Sequence, residues 1–318
     1  MGLLDKLFKK KGKPIAKEEA IKETRKNDKE EATLYKFDGV KAMRIGNFPL
    51  AIKFFEKALE VCPEFETRYY YTQALKGSNR QEEALVQYDV LLEEVPTHYA
   101  ALVERADLLL QQDRMEDSLK DCTLALEQSE ADEEKALCYR LLSRIHLALK
   151  HYTEAIENAE KALAIQEDDT VSALVKARAL TYLPDRSAAI HYISEACQRF
   201  PLEERFLLYE AYLYEQYKEE EEATRLYKET LEVDPFNEEA ALGLLRMMLN
   251  DAQESEALSF IESFIAERNV SSNLKRVYAN LLTKNGRESE ATSILSELED
   301  EGAEGVADFS GLYQGGIF

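Results

Sequence analysis

A length of chain that recurs about every 34 residues fixes the kind of fold before any single element is considered, because a missed period misassigns the whole molecule. Three segments show it directly: AIKFFEKALEVCP from Ala51, EEALVQYDVLLEEVP from Glu82 and EEATRLYKETLEVDP from Glu221. Each is an amphipathic helical pattern closed by a proline. Pro63, Pro96, Pro201 and Pro235 end four units, and Glu130 and Glu167 hold the equivalent place in two more, so the spacings run 33, 34, 37, 34 and 34. The three extra residues of the long unit fall near Ser129 to Glu134, a polar stretch that predicts a tolerated insertion between helices. A small residue recurs at Ala51, Ala84, Ser118, Ala155, Ala189, Ala223, Ala257 and Ala291, which makes eight units independently of the prolines.

Composition agrees with helices throughout. The 318 residues include only 12 Gly, 7 Pro and no Trp, while Ala, Leu, Glu and Lys abound, and these favour long helices over strands. Two antiparallel helices pack closely only where a crossing point carries no bulky side chain, so Ala and Gly act as spacers. Each hairpin then has an apolar face it cannot cover alone, and neighbours must stack.

With this period, with small residues at helix crossings, an aromatic or aliphatic residue four positions later and a closing proline, residues 32–298 resemble the tetratricopeptide repeat. The first unit carries the pattern most fully, in Gly39, Gly46, Phe48, Ala51, Phe55, Ala58 and Pro63. The family's favoured Trp is absent, and Leu245, Phe264 and Leu298 replace small residues in the last two units. The resemblance implies an all-α, right-handed superhelical solenoid of antiparallel helix pairs whose concave groove binds a linear segment of another protein. It also implies a non-catalytic scaffold or adaptor.

In that family the second, fifth, ninth, twelfth and thirteenth residues of each first helix face the groove. Projected here, these positions carry Lys36, Arg44, Lys76, Arg140, Arg144, Arg178, Arg205, Arg246, Arg276 and Lys284 against Glu66, Asp107, Glu215 and Glu239. Ten bases against four acids stand out in a chain of net charge −22. Arginine offers a planar fork suited to carboxylate, so an acidic or amphipathic peptide is the expected ligand. Leu174, Leu208, Leu242 and Tyr212 would take its apolar side chains. The competing reading is that the arginines pair with acids on adjacent helices and only solvate the inner wall. A carboxylate clamp of the kind that seizes a partner's C-terminus is not the expected mode. Lys36 matches its first base, but Val40, Ala100 and Glu104 stand where Asn and bases are needed.

The overall negative charge opposes nucleic acid and anionic lipid. The start MGLLDKLFKKKGKP runs the other way. It sets Leu3, Leu4, Leu7 and Phe8 on one helical face with lysines around the other, a pattern that predicts weak peripheral membrane contact. Lys6 stands where a myristoylation signal needs Ser or Thr, so Gly2 is not read that way. A peripheral membrane organiser is therefore the second functional reading. Residues 1–31 form a charged N-terminal segment, of which Ile15 to Glu31 is helix-prone. Residues 299–318 form an acidic, then aromatic tail with Phe309, Leu312, Tyr313, Ile317 and Phe318, whose chemistry suits self-docking in a basic groove.

No catalytic constellation appears: neither a phosphate-binding glycine loop nor H-E-x-x-H nor G-x-S-x-G is present. Cys62, Cys122, Cys138 and Cys197 lack the spacing of a metal or redox site, and His98, His146, His151 and His191 are isolated. No cofactor is expected. With neither a long apolar run nor a cleavable leader pattern, a cytoplasmic protein is expected, with the inner face of the membrane as a further possibility.

Overall fold

The computed structural model describes residues 13–266 and 268–300. Among them it forms sixteen helices and no strand. They pair as α1 (Lys13–Arg44) with α2 (Phe48–Val61), α3 (Phe65–Gly77) with α4 (Gln81–Glu94), α5 (Tyr99–Gln111) with α6 (Met115–Gln128), and α7 (Asp132–Ala148) with α8 (Tyr152–Ile165). The series continues with α9 (Thr170–Thr181) and α10 (Arg186–Arg199), α11 (Glu204–Gln216) and α12 (Glu220–Val233), α13 (Glu238–Asn250) and α14 (Glu254–Ile265), then α15 (Ser272–Lys284) and α16 (Glu288–Asp300). The chain divides into two compact units, with the boundary after Cys138, inside α7. Each unit is a run of hairpins joined by short turns, which forces sequential helices to lie antiparallel.

The predicted spacers sit in one register. In every even-numbered helix the small residue is the fourth: Ala51, Ala84, Ser118, Ala155, Ala189, Ala223, Ala257 and Ala291. Seven of them are wholly buried, and Ala291 is 2% exposed. Twelve residues earlier, on the odd-numbered helices, Ala106, Ala177, Ala211 and Ala279 are also wholly buried. At one such crossing Ser118 Oγ donates to the Ala106 carbonyl at 2.6 Å. Leu245, which replaces a small residue here, is buried all the same, as are Phe264 and Leu298.

Seven of the eight hairpin turns are built alike. A residue with left-handed backbone ends the first helix: Gly46, Asn79, Asp113, Lys150, Lys218, Ala252 or Gly286, with φ between 57° and 77°. The next amide bonds back to a carbonyl five residues earlier, as in Asn47 N to Ala42 O and Glu219 N to Tyr214 O, both at 2.9 Å. This closure satisfies carbonyls that the helix end leaves open. The fifth hairpin departs from the rule because Pro184 occupies the left-handed position, and its ring holds φ negative. There Asp185 caps the next helix instead, accepting from the Ala188 amide at 3.0 Å.

The three extra residues of the fourth unit are not a loop, as the sequence suggested. They lengthen α7 to 17 residues. Asp132, Glu133 and Glu134 fill its first turn, where negative charge suits the helix dipole, and Glu134 accepts from the Glu130 amide at 3.0 Å. Likewise α1 runs unbroken across residues 31 and 32, so the charged segment before the repeats is part of the first repeat's helix. No helix among the described residues is long and apolar enough to cross a membrane.

Candidate functional site

The groove positions fall on the odd-numbered helices, and in both units acidic neighbours pair with several of their bases. In the first unit Lys36 and Lys76 are neutralised in place. Lys36 Nζ lies 2.7 Å from Glu66 and 3.7 Å from Glu64, and the Glu66 hydrogen bond raises its pKa despite partial burial. Lys76 Nζ lies 3.1 Å from Glu104. Glu104 also accepts from Tyr69 Oη at 2.6 Å and from Tyr88 and Gln73. Burial alone would raise the pKa of Glu104. The donors, chiefly Tyr69 and Tyr88, hold it below its ordinary value. In the sequence Glu104 counted only against a carboxylate clamp, and this role was not legible there, because its donors come from two other helices, α3 and α4.

The second unit holds the denser cluster. Arg144, Arg178, Tyr212 and Arg246 each stand eleven residues ahead of the small residue of the following helix, on α7, α9, α11 and α13. All four are half-buried. Arg246 reaches both oxygens of Glu215, with Nε at 2.6 Å and Nη2 at 2.8 Å, and Nη2 also donates to Tyr227 Oη at 3.3 Å. Glu239, two repeats from Arg178 and on the same helix as Arg246, is largely buried. Desolvation raises its pKa, and Arg178 and Arg246 oppose that rise. Burial likewise pushes the Tyr209 hydroxyl up to about 12, while Arg178 and Arg205 pull it down. Three guanidinium groups thus act on one neighbourhood of α9, α11 and α13.

At the edge of this cluster Arg140 lies 3.7 Å from Asp169, whose side chain is 4% exposed and accepts from Ser172 Oγ at 2.7 Å. The pair borders an open depression of about 460 Å³ with Gln166 and Thr170. Arg205 forks onto both oxygens of Glu203, at 2.5 and 3.0 Å. Tyr152 and Tyr182 stack with centroids 4.4 Å apart. Arg276 is half-buried on α15.

One expectation is corrected. Leu174, Leu208 and Leu242 are 1%, 2% and 3% exposed and belong to the core, so they offer no surface to a ligand. They share a register with Lys36, Arg140 and Arg276. An apolar side chain there gains by leaving water, whereas a long cationic one carries its head outward. Tyr212 stays partly accessible. Leu3, Leu4, Leu7, Phe8 and the tail beyond residue 300 lie outside the described residues.

Comparison with known proteins agrees with this geometry. Two family models, both described as tetratricopeptide repeat, match residues 98–168 and 171–306. No curated protein sequence matches the chain. Among solved structures it is similar to a tetratricopeptide repeat protein from Parabacteroides merdae, at 15% identity and TM-score 0.52, covering 86% of this chain and 94% of that one. It is similar too to pilF of Pseudomonas aeruginosa, at 20% identity and TM-score 0.53, covering 66% and 94%. The C-terminal part of a repeat protein from Cytophaga hutchinsonii compares at 20% identity and TM-score 0.53, covering 71% and 93%. These likenesses concern the fold. With its repeating hairpins, their shared register and the two family matches, the chain belongs to the tetratricopeptide repeat family and carries eight repeats.

Proposed function

We propose that the inner faces of α7, α9, α11 and α13 bind an extended, acidic segment of another protein, in keeping with the family's general role as a protein-interaction scaffold. The observation that carries this reading is the row of half-buried cations Arg144, Arg178 and Arg246, each eleven residues ahead of a spacer, on α7, α9 and α13. A ligand carboxylate beside that row would meet planar guanidinium donors. Arg140 and Arg144 extend the cationic row along α7, Arg205 and Arg276 flank it, and Tyr212 supplies a partly apolar surface beside them. The five groove bases with named acidic partners, Lys36, Lys76, Arg140, Arg205 and Arg246, make the wall partly self-neutralised. The ligand therefore competes with internal acids, and binding is selective rather than tight.

No catalytic step and no cofactor belong to this proposal, and the cytoplasm is its proposed location. The acidic, aromatic tail from residue 299 has the composition of such a ligand, so self-docking belongs to the same proposal. The alternative of a membrane-surface organiser rests on Leu3, Leu4, Leu7 and Phe8 and draws no support from a described contact.

The test is anisotropy of a labelled peptide of alternating Glu and Leu, titrated across salt concentrations. Affinity falls as salt rises, and changing Arg140, Arg144 and Arg178 together to Ala lowers it at least tenfold. Truncation after Leu298 raises it if the tail competes. Affinity indifferent to both the triple change and salt removes the proposal.

A further inference from the structure

The first hairpin has an inter-repeat face that no described residue covers. Seventeen residues ahead of each small spacer, repeats two to eight place Thr67, Ala101, Cys138, Ser172, Phe206, Ala240 and Leu274, none more than 1% exposed. Leu34 holds this place in the first repeat and is 67% exposed. Three residues on, Leu141, Val175 and Val277 are buried in later repeats, yet Phe37 is 57% exposed. These positions meet the preceding hairpin, as Val175 and Ala179 of α9 meet Ala155 and Ala159 of α8. With Ile45 at 77%, α1 presents an apolar stripe built for a neighbouring helix, and no described residue covers it.

The charges around that stripe say which neighbour fits. Glu30 and Glu31 are exposed at its N-terminal end, with Lys26 3.9 Å from Glu30 and Lys29 turned to Glu64, while Arg44 is exposed at its C-terminal end beside Lys41, which pairs with Asp38 at 3.1 Å. Two copies of α1 laid antiparallel about a twofold axis near Phe37 bring Glu30 and Glu31 of each helix beside Arg44 of the other. The same operation joins Leu34 and Phe37 of both copies into one apolar centre. A parallel pairing sets base against base. The corresponding outward face of α16 is a poorer match, since it carries Thr292 and Glu299 around Leu295. A self-complementary patch of this kind makes a closed, isologous dimer rather than a filament.

We infer that the exposed face of α1 is a homodimer interface, occupied by α1 of a second copy in antiparallel orientation. A single helix pair buries little area, so the dimer is weak, with dissociation on the order of micromolar to tens of micromolar.

Sedimentation velocity of the full chain from roughly 1 to 200 µM tests this. The expected result is a concentration-dependent monomer–dimer equilibrium. L34E and F37E, both at exposed positions, abolish it with the helical circular dichroism unchanged. R44E weakens it at least tenfold, and adding E31R restores most of the loss through the reversed pair. A monomer throughout, a dimer indifferent to L34E and F37E, or failure of E31R to rescue R44E overturns the inference. So does a monomer in which a cysteine introduced by F37C resists a thiol reagent, because the chain's own ends would then cover the face.

Discussion

Arg246 on α13 grips both carboxylate oxygens of Glu215 on α11, 31 residues earlier, with the two side chains each 19% exposed. The contact ties the seventh repeat to the sixth, and Tyr227 joins it by donating to Glu215. Removing one partner of a mostly buried pair leaves the other charge uncompensated, at a cost of about 3 kcal/mol. Glu215→Ala is therefore expected to lower the urea midpoint strongly. Glu215→Ala with Arg246→Met should lose less than the sum of the single changes. Additive losses would show that the pair is not coupled.

Glu239 is expected to stabilise the fold once its charge is removed. Burial raises its pKa, so the folded chain holds that proton more firmly than the unfolded chain does. Ionisation at Glu239 is then a cost that is absent below the ordinary carboxylate range and grows as pH rises through the raised value. Glu239→Gln should raise the melting temperature at neutral pH and change little near about pH 4. It should also tighten binding of an acidic peptide, because Arg178 and Arg246 lose their internal competitor. A lower melting temperature at neutral pH would mean that the two arginines outweigh burial.

Gly243 faces the ring of Tyr227 so closely that a Cβ there would collide with ring carbons. Alanine in a helix interior ordinarily gains up to about 1 kcal/mol over glycine. Here Tyr227 is wholly buried and anchored through its hydroxyl, so it cannot step aside. Gly243→Ala is expected to cost about 1–3 kcal/mol, an overpacking loss, measured by chemical denaturation. A neutral or stabilising result would show that the ring has room.

Ala252 closes the seventh hairpin with φ at 57°, a conformation in which a Cβ crowds the following carbonyl. Ala252→Gly is expected to stabilise by about 0.5–1 kcal/mol, reversing the usual helix preference. Lys150→Gly and Lys218→Gly should share the sign, since both have φ of 61°. Paired unfolding curves against Gly243→Ala separate the two effects, as the substitutions run in opposite chemical directions.

Period, helix count and spacer register were legible in the chain alone, because steric exclusion at a helix crossing acts through the residue at that site and its fixed distance to the next. The same locality explains why Pro184 marks the one divergent turn. Which bases face a ligand was legible only in part. The register placed Arg144, Arg178, Tyr212 and Arg246 in one row, but it could not separate Leu174, Leu208 and Leu242, which sink into the core, from Arg140 and Arg276 at the same helical position. Nor could it show that Glu104, Glu203 and Asp169 neutralise neighbouring bases, since side-chain pairing depends on distances between helices and on reach around them. The open face of Leu34 and Phe37 lay in the sequence as ordinary core residues. Only the packed array revealed them as exposed, because burial belongs to what lies alongside a residue in space, and among the described residues nothing covers that side of the first hairpin.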